Sequence, residues 1–213
     1  IINKAPPSFD IESAREALDD ITLWGVVPYN PALLAPRTLD VARHLNARVL
    51  VEGEIATRRV LETVITARSA AEMIHRLTPG ALIMVAGDRD DVMLATALAA
   101  SNGVQLAGLM LTHGSEIDSR VRKLASKAFE SGLPILSVST DSFLTTTGIQ
   151  SIPGAVPADD ATRMNAVLDS VADQLWASAL NDHVRMPAST QMSPPAFRYR
   201  LIQKARAANQ RIV

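Results

Sequence analysis

The chain holds no cysteine, which excludes a disulfide framework and any thiolate metal site. It also lacks an excess of either charge. Lys and Arg number 21 against 22 Asp and Glu, a formal net charge of −1, so no basic face for nucleic acid is expected. No apolar run is long enough to span a bilayer, and no signal peptide is read at the start. There is no GxxxxGK[ST] phosphate loop, and no GxGxxG follows a strand. The four histidines, His44, His75, His113 and His183, form neither HExxH nor a facial-triad spacing. No Ser, Cys or Lys stands in a pattern that would activate it as a nucleophile. These absences leave no catalytic residue, resident cofactor or metal to assign, and they predict a protein of reducing, cytoplasmic surroundings that binds neither nucleic acid nor membrane.

What is present is a long α/β pattern in a chain of 213 residues, 47% of them hydrophobic. Its centre is ALIMVAGDRDDV, residues 81–92. Leu82 to Ala86 are apolar without alternation, as in a strand buried on both faces of a parallel sheet. Gly87 breaks the run, and Asp90 or Asp91 is placed to cap a helix that runs to Ser101. Around it, strands are expected at 60–67, 106–111 and 134–138. Helices are expected at 70–77, 115–131 and 143–150, the second opened by a Ser115/Asp118 capping box. Ile117, Val121, Leu124, Ala128 and Phe129 form that helix's apolar stripe. Such alternation predicts a mainly parallel sheet with helices on both faces, a layered α/β/α fold.

Upstream, a strand ending near Asn3, a helix to Leu18 with Ile11, Ala14, Ala17 and Leu18 inward, a strand at 23–27 and a helix at 38–45 form a partial βαβ layer. Downstream, a long helix is expected from Ala158 to Leu180, with Met164, Val167, Leu168, Val171, Leu175 and Trp176 inward. His183 to Met192 reads as a linker, and Pro195 to Ala208 as a further helix. The chain opens on Ile1-Ile2 without Met and stops at Ile212-Val213. Both ends read as parts of strands, so a piece of a longer polypeptide is expected.

Two clusters fall at strand ends: Asp88, Arg89 and Asp91, and Thr112, His113 and Gly114. Adjacent strands would bring them into one crevice at the sheet's carboxyl edge, where ligands of open α/β sheets bind. Thr112 and His113 beside a helix N-terminus would suit an anion, a carboxylate or a phosphate, although the three aspartates repel one. Helix capping alone would also account for the acids. Arg58-Arg59 is read as a phosphate contact or, more simply, as two solvated charges.

The runs TLDVARHLNARVLVEGEIATRRV, LIMVAGDRDDVMLATALAASNGV and AGLMLTHGSEIDSRVRKLASKAFESGLPILSVSTDSF resemble the long form of bacterial phosphate acetyltransferases, and SPPAFRYRLIQKARAANQRIV resembles the junction leading into their catalytic domain. The central segment is similar to the DRTGG domain family. Asp88-Arg89 match the first two letters of its motif, whereas Asp90, Asp91 and Val92 depart from Thr-Gly-Gly. The resemblance implies a division into 1–46, the end of a dethiobiotin-synthetase-like, P-loop-type domain; 47–182, a DRTGG-like domain; and 183–213, a linker and the start of the acetyltransferase domain. It further implies a parent enzyme that uses coenzyme A and phosphate, with catalytic residues outside this stretch. The expected role is regulation and assembly, with homo-oligomeric contacts, the catalytic domain and a small-metabolite effector as partners. A small-metabolite or nucleotide sensor acting at the crevice is the alternative.

Overall fold

The computed structural model describes residues 1–19, 21–176 and 194–207. They fall into two compact units, one spanning Tyr29–Asp169 and the other combining Ile1–Pro28 with the chain from Ser170 on.

The larger unit is built on a five-stranded sheet. In the smaller unit, β1 (Ile2–Ala5) and β2 (Val26–Pro28) pair in parallel. The sheet of the larger unit takes β3 (Arg48–Val51), β4 (Glu62–Ile65), β5 (Ala81–Ala86), β6 (Gly108–Thr112) and β7 (Ile135–Ser137). Their order is β3-β7-β6-β5-β4. The last four in chain order run parallel, and β3 runs antiparallel on β7.

β5 lies between two parallel neighbours, and its alternate residues feed opposite cores. Ile83 and Val85 pack with Leu109, Leu111 and Ile135 on one face. Leu82 and Met84 pack with Met110 and Leu136 on the other. An unbroken apolar run is what two-sided burial demands, because both phases of the strand period must be apolar.

Helices cover both faces. The first face carries α4 (Asp90–Ser101), α5 (Ser119–Leu124) and α6 (Ser126–Glu130), together with α3 (Ala70–Met73) and the 3-10 turn behind it, Ile74–Arg76. The second carries α2 (Thr38–His44), whose Val41 and Ala42 enter the core, and α7 (Ser142–Gln150), whose Ile149 packs against it. Thr38 Oγ1 donates to the Ala107 carbonyl at 2.7 Å and fastens α2 beneath β6. Residues 29–46, expected to close a preceding domain, therefore pack on this sheet, because the apolar side of α2 faces Leu82, Met84 and Met110.

Three expected helices differ. The stretch 115–131 breaks into α5 and α6 at Ala125, and residues 115–118 are not helical, so the Ser115/Asp118 capping box does not form. Asp118 is itself the cap, accepting from the Arg120 N–H. After the break Leu124 is 73% exposed and leaves the stripe. The helix expected from Ala158 is α8 (Ala161–Ala172). Asp160 precedes it, and the chain turns before Leu175, which bridges Gly25 within the smaller unit. Met164 and Leu168 are exposed, while Arg163 is the buried residue of α8. In α1 (Ile11–Leu18) Asp10 caps by accepting the Glu12 N–H, yet no side chain is fully buried. Nearby, the Arg15 guanidinium lies 4.5 Å from the Trp176 ring centre. α9 covers Pro194–Ala207. The expected linker at 183–192 and residues 177–180 lie outside the described residues.

Candidate functional site

Ala86 and Thr112 are register partners, so the two predicted clusters do leave the sheet side by side. The space between them is filled. A Cβ on Gly87 would stand 1.9 Å from Ser115 Cβ and 2.1 Å from its Oγ, so glycine is what lets the two loops close on each other. Ser115 Oγ donates to the Thr112 carbonyl at 2.9 Å, and Ser137 Oγ donates to the Ser115 carbonyl at 2.8 Å.

The expected anion donors are spent as well. His113 and Gly114 both take positive φ, 61° and 69°. This turns the His113 N–H onto the Thr140 carbonyl (3.0 Å) and the Gly114 N–H onto the Val138 carbonyl (2.7 Å). Thr112 is fully buried, and its hydroxyl lies 3.0 Å from His113 Nδ1 and 3.4 Å from the Val85 carbonyl. The helix that follows in sequence starts only at Ser119, so it does not open directly on this turn. The backbone N–H groups of His113 and Gly114 are thus bonded to internal carbonyls.

Arg89 and Asp91 pair with each other at 2.9 and 3.0 Å. Arg89 also donates to the Arg68 carbonyl at 2.8 Å, so it fastens the loop after β4 to the start of α4. The Arg89 hydrogen bond holds the Asp91 carboxyl down to about 2. Arg89, with no capping side-chain bond, occupies the N-cap position of α4. Asp90 and Asp91 lie in the first turn instead, where they oppose the helix dipole's positive end. Of the six predicted residues, Asp88, Asp91, His113 and Gly114 are exposed, Asp91 while paired with Arg89 and His113 with Nδ1 on the Thr112 hydroxyl. His44, also exposed, lies 3.0 Å from Ser151 Oγ. Among the described residues no group of three or more His, Asp or Glu side chains is placed to hold a metal, and no helix is long and apolar enough to cross a membrane.

The densest polar assembly lies elsewhere in the same unit and was not anticipated. Arg37, 5% exposed, donates to Asp40 at 2.8 and 3.0 Å and to Asp159 at 2.8 Å. Arg43 reaches the other Asp159 oxygen at 2.8 Å. Asp160, 3% exposed, is gripped by both arms of Arg59 at 2.5 and 2.6 Å and accepts the Arg163 N–H at 3.1 Å. Arg163 in turn donates to the carbonyls of Leu33 (2.6 Å) and Gly154 (2.9 Å). Arg58 is buried and reaches Glu54 and the carbonyls of Leu106 and Ser131. Arg58 and Arg59 are thus neither phosphate contacts nor solvated charges. Arg59 lowers the Asp160 carboxyl to about 2, and the Asp40 and Asp159 carboxylates raise Arg37 above the ordinary arginine range. Every charge in this network meets an opposite charge or a carbonyl inside the fold, which describes a structural clamp.

With the geometry in view, comparison decides the family. The DRTGG domain model matches residues 40–152. The chain belongs to the DRTGG domain family. It is 46% identical over 92% of its length to a phosphate acetyltransferase of Pseudomonas putida, of which that match covers 28%. It is 43% identical over its whole length to 32% of the one from Deinococcus radiodurans, and 42% identical over 91% of its length to 27% of the one from Escherichia coli. This DRTGG chain thus spans about 28% of the length of the curated relatives it matches. Among solved structures, it is similar to the CBS and DRTGG domains of the regulatory region of Clostridium perfringens pyrophosphatase complexed with an activator, diadenosine tetraphosphate. That likeness has 14% identity, a TM-score of 0.47, and coverage of 79% of this chain and 86% of the other.

Proposed function

We propose that this chain is a non-catalytic regulatory and assembly part of a phosphate acetyltransferase, whose reaction moves an acetyl group between coenzyme A and phosphate. Support comes from the relatives at 42–46% identity and from the state of the strand-end cluster. One observation carries the reading: the donors that would hold an acyl phosphate or a coenzyme are bonded to backbone carbonyls. Thr112 Oγ1 does lie 3.0 Å from His113 Nδ1, but Thr112 is fully buried, so that hydroxyl is closed to a substrate. The chain incubated with acetyl-CoA and phosphate is expected to release no coenzyme A above the blank. Turnover that scales with protein concentration would overturn the proposal.

The sensing role narrows to the rim formed by Asp88 and His113. Calorimetry with NADH, ATP, pyruvate and phosphoenolpyruvate tests it. Heat that disappears in both Asp88→Ala and His113→Ala would place an effector there. A flat response to all four leaves assembly as the role.

A further inference from the structure

The sequence contains one Asn-Gly step, Asn102-Gly103. Such a step can lose ammonia on its own, because glycine puts no side chain in the way of its nitrogen. The Gly103 nitrogen bonds to Asn102 Cγ and closes a five-membered succinimide. The side-chain amide leaves as ammonia, carrying the proton that the Gly103 nitrogen gives up. Water then opens the ring at either carbonyl. One opening gives aspartate, and the other gives isoaspartate, whose main chain runs through Cβ and is longer by a methylene.

In the fold this step ends α4. Asn102 is the C-cap, at φ −85° and ψ 10°, and Gly103 follows at φ 92°. The Gly103 N–H donates to the Ala100 carbonyl at 3.0 Å and the Val104 N–H to the Ala99 carbonyl at 3.1 Å, the paired bonds of a Schellman cap. Val104 and Ala99 both pack against the core beneath α4.

The cap opposes ring closure twice. The attacking nitrogen has its N–H committed to Ala100. Closure also needs that nitrogen nearly eclipsed with Cβ about the Cα–C bond, and at ψ 10° the two are well out of line. The peptide must turn, and turning breaks the cap bonds. Little else resists it. Asn102 and Gly103 are exposed, and a Cβ built on Gly103 would meet no atom within 4 Å. A helix end of this kind opens locally, at less cost than unfolding the whole unit.

We infer that Asn102 is a deamidation site gated by the C-cap of α4: it reacts when the helix end frays, and its isoaspartyl product cannot re-form the cap. Aspartate at 102 sets a negative charge against the negative end of the helix dipole. Isoaspartate also displaces Gly103, so its N–H and that of Val104 no longer meet Ala100 and Ala99. The latch opens one way, and the lead from α4 into β6 is loosened.

Peptide mapping of the 213-residue chain, held at mildly alkaline pH and sampled over days, separates the asparaginyl, aspartyl and isoaspartyl forms of residue 102. Conversion is expected to run about tenfold or more faster in urea than in the folded chain. Val104→Ala, which trims a side chain that seats the cap, should speed conversion in the folded state. Asp160→Asn, which weakens the clamp at α2, should leave the rate unchanged, and circular dichroism checks that both variants fold. In the refolded isoaspartyl chain the Gly103 and Val104 amides should exchange freely with solvent. No conversion at Asn102 in urea would overturn the site, and equal rates in urea and in the folded chain would overturn the gate. Equal acceleration by both variants would overturn local opening, and protected amides in the isoaspartyl chain would overturn the latch.

Discussion

Replacing Asp160 with Asn removes one negative charge from the middle of the arginine clamp and leaves its shape. The carboxylate is held at about 2 by Arg59, against about 3.8 for the unfolded chain. Each unit of that difference is about 1.4 kcal/mol, so ionised Asp160 stabilises the fold by roughly 2 kcal/mol over an uncharged group of the same form. The folded value is the depressed one. The unfolded chain therefore binds the extra proton, and this stability is fully present above about pH 5 and lost as pH falls toward 2. In urea at pH 7, Asp160→Asn is expected to cost about 2 kcal/mol, a fall in Tm of roughly 4–8 °C. Asp160→Ala, which also strands Arg59 and the Arg163 N–H, should cost about 3–5 kcal/mol. The gap between the parent chain and Asp160→Asn should shrink to about half at pH 3 and nearly close at pH 2. A gap below about 1 kcal/mol at pH 7, or one unchanged between pH 7 and pH 3, would refute the clamp.

Gly87→Ala should cost about 1–3 kcal/mol, because its methyl group collides with Ser115; pairing it with Ser115→Gly should recover most of that loss in thermal melts. Arg58→Met should lower stability by about 1–3 kcal/mol, since the carbonyls of Leu106 and Ser131 lose their donor, and urea midpoints at pH 7 would register it. Asp88→Ala, which changes an exposed side chain, should stay within about 0.5 kcal/mol of the parent chain in the same measurement, whereas His113→Ala, which takes the imidazole from the buried Thr112 hydroxyl, should cost about 0.5–1.5 kcal/mol.

The fold was legible where burial alone dictates residue choice. Leu82 to Ala86 had to be apolar in both phases of the strand, and that is visible without coordinates. Asp141 caps α7 by accepting the Leu144 N–H, a local bond between near neighbours. What stayed hidden depends on distant partners. Arg37 and Asp159 are 122 residues apart, and Arg59 and Asp160 are 101 apart; charge patterning along one helix cannot pair them. Paired Arg58-Arg59 and Asp159-Asp160 were the available signal, two doublets of opposite sign flanking the sheet segment. Helix 115–131 misled for a related reason. Its spacing suits a continuous stripe, but Ser115 is needed against Gly87, which keeps residues 115–118 out of the helix and displaces Leu124 into solvent.

The strand-end residues then show why charge at a sheet's carboxyl edge is weak evidence for a ligand. Asp88 and Asp91 are three positions apart on the same turn. Asp91 is drawn to Arg89, and that same guanidinium also holds the loop after β4, so the pair joins two crossovers that would otherwise splay. Thr112, His113 and Gly114 do the equivalent work toward the end of β7. A parallel sheet has to bring several loops together at one end, and each loop carries unsatisfied backbone groups there. Charged and hydroxyl side chains at that edge can be wholly consumed in satisfying them. In this chain the inward-turned groups belong to the fold, and the side chains that face outward at this edge are Asp88, His113 and the paired Asp91.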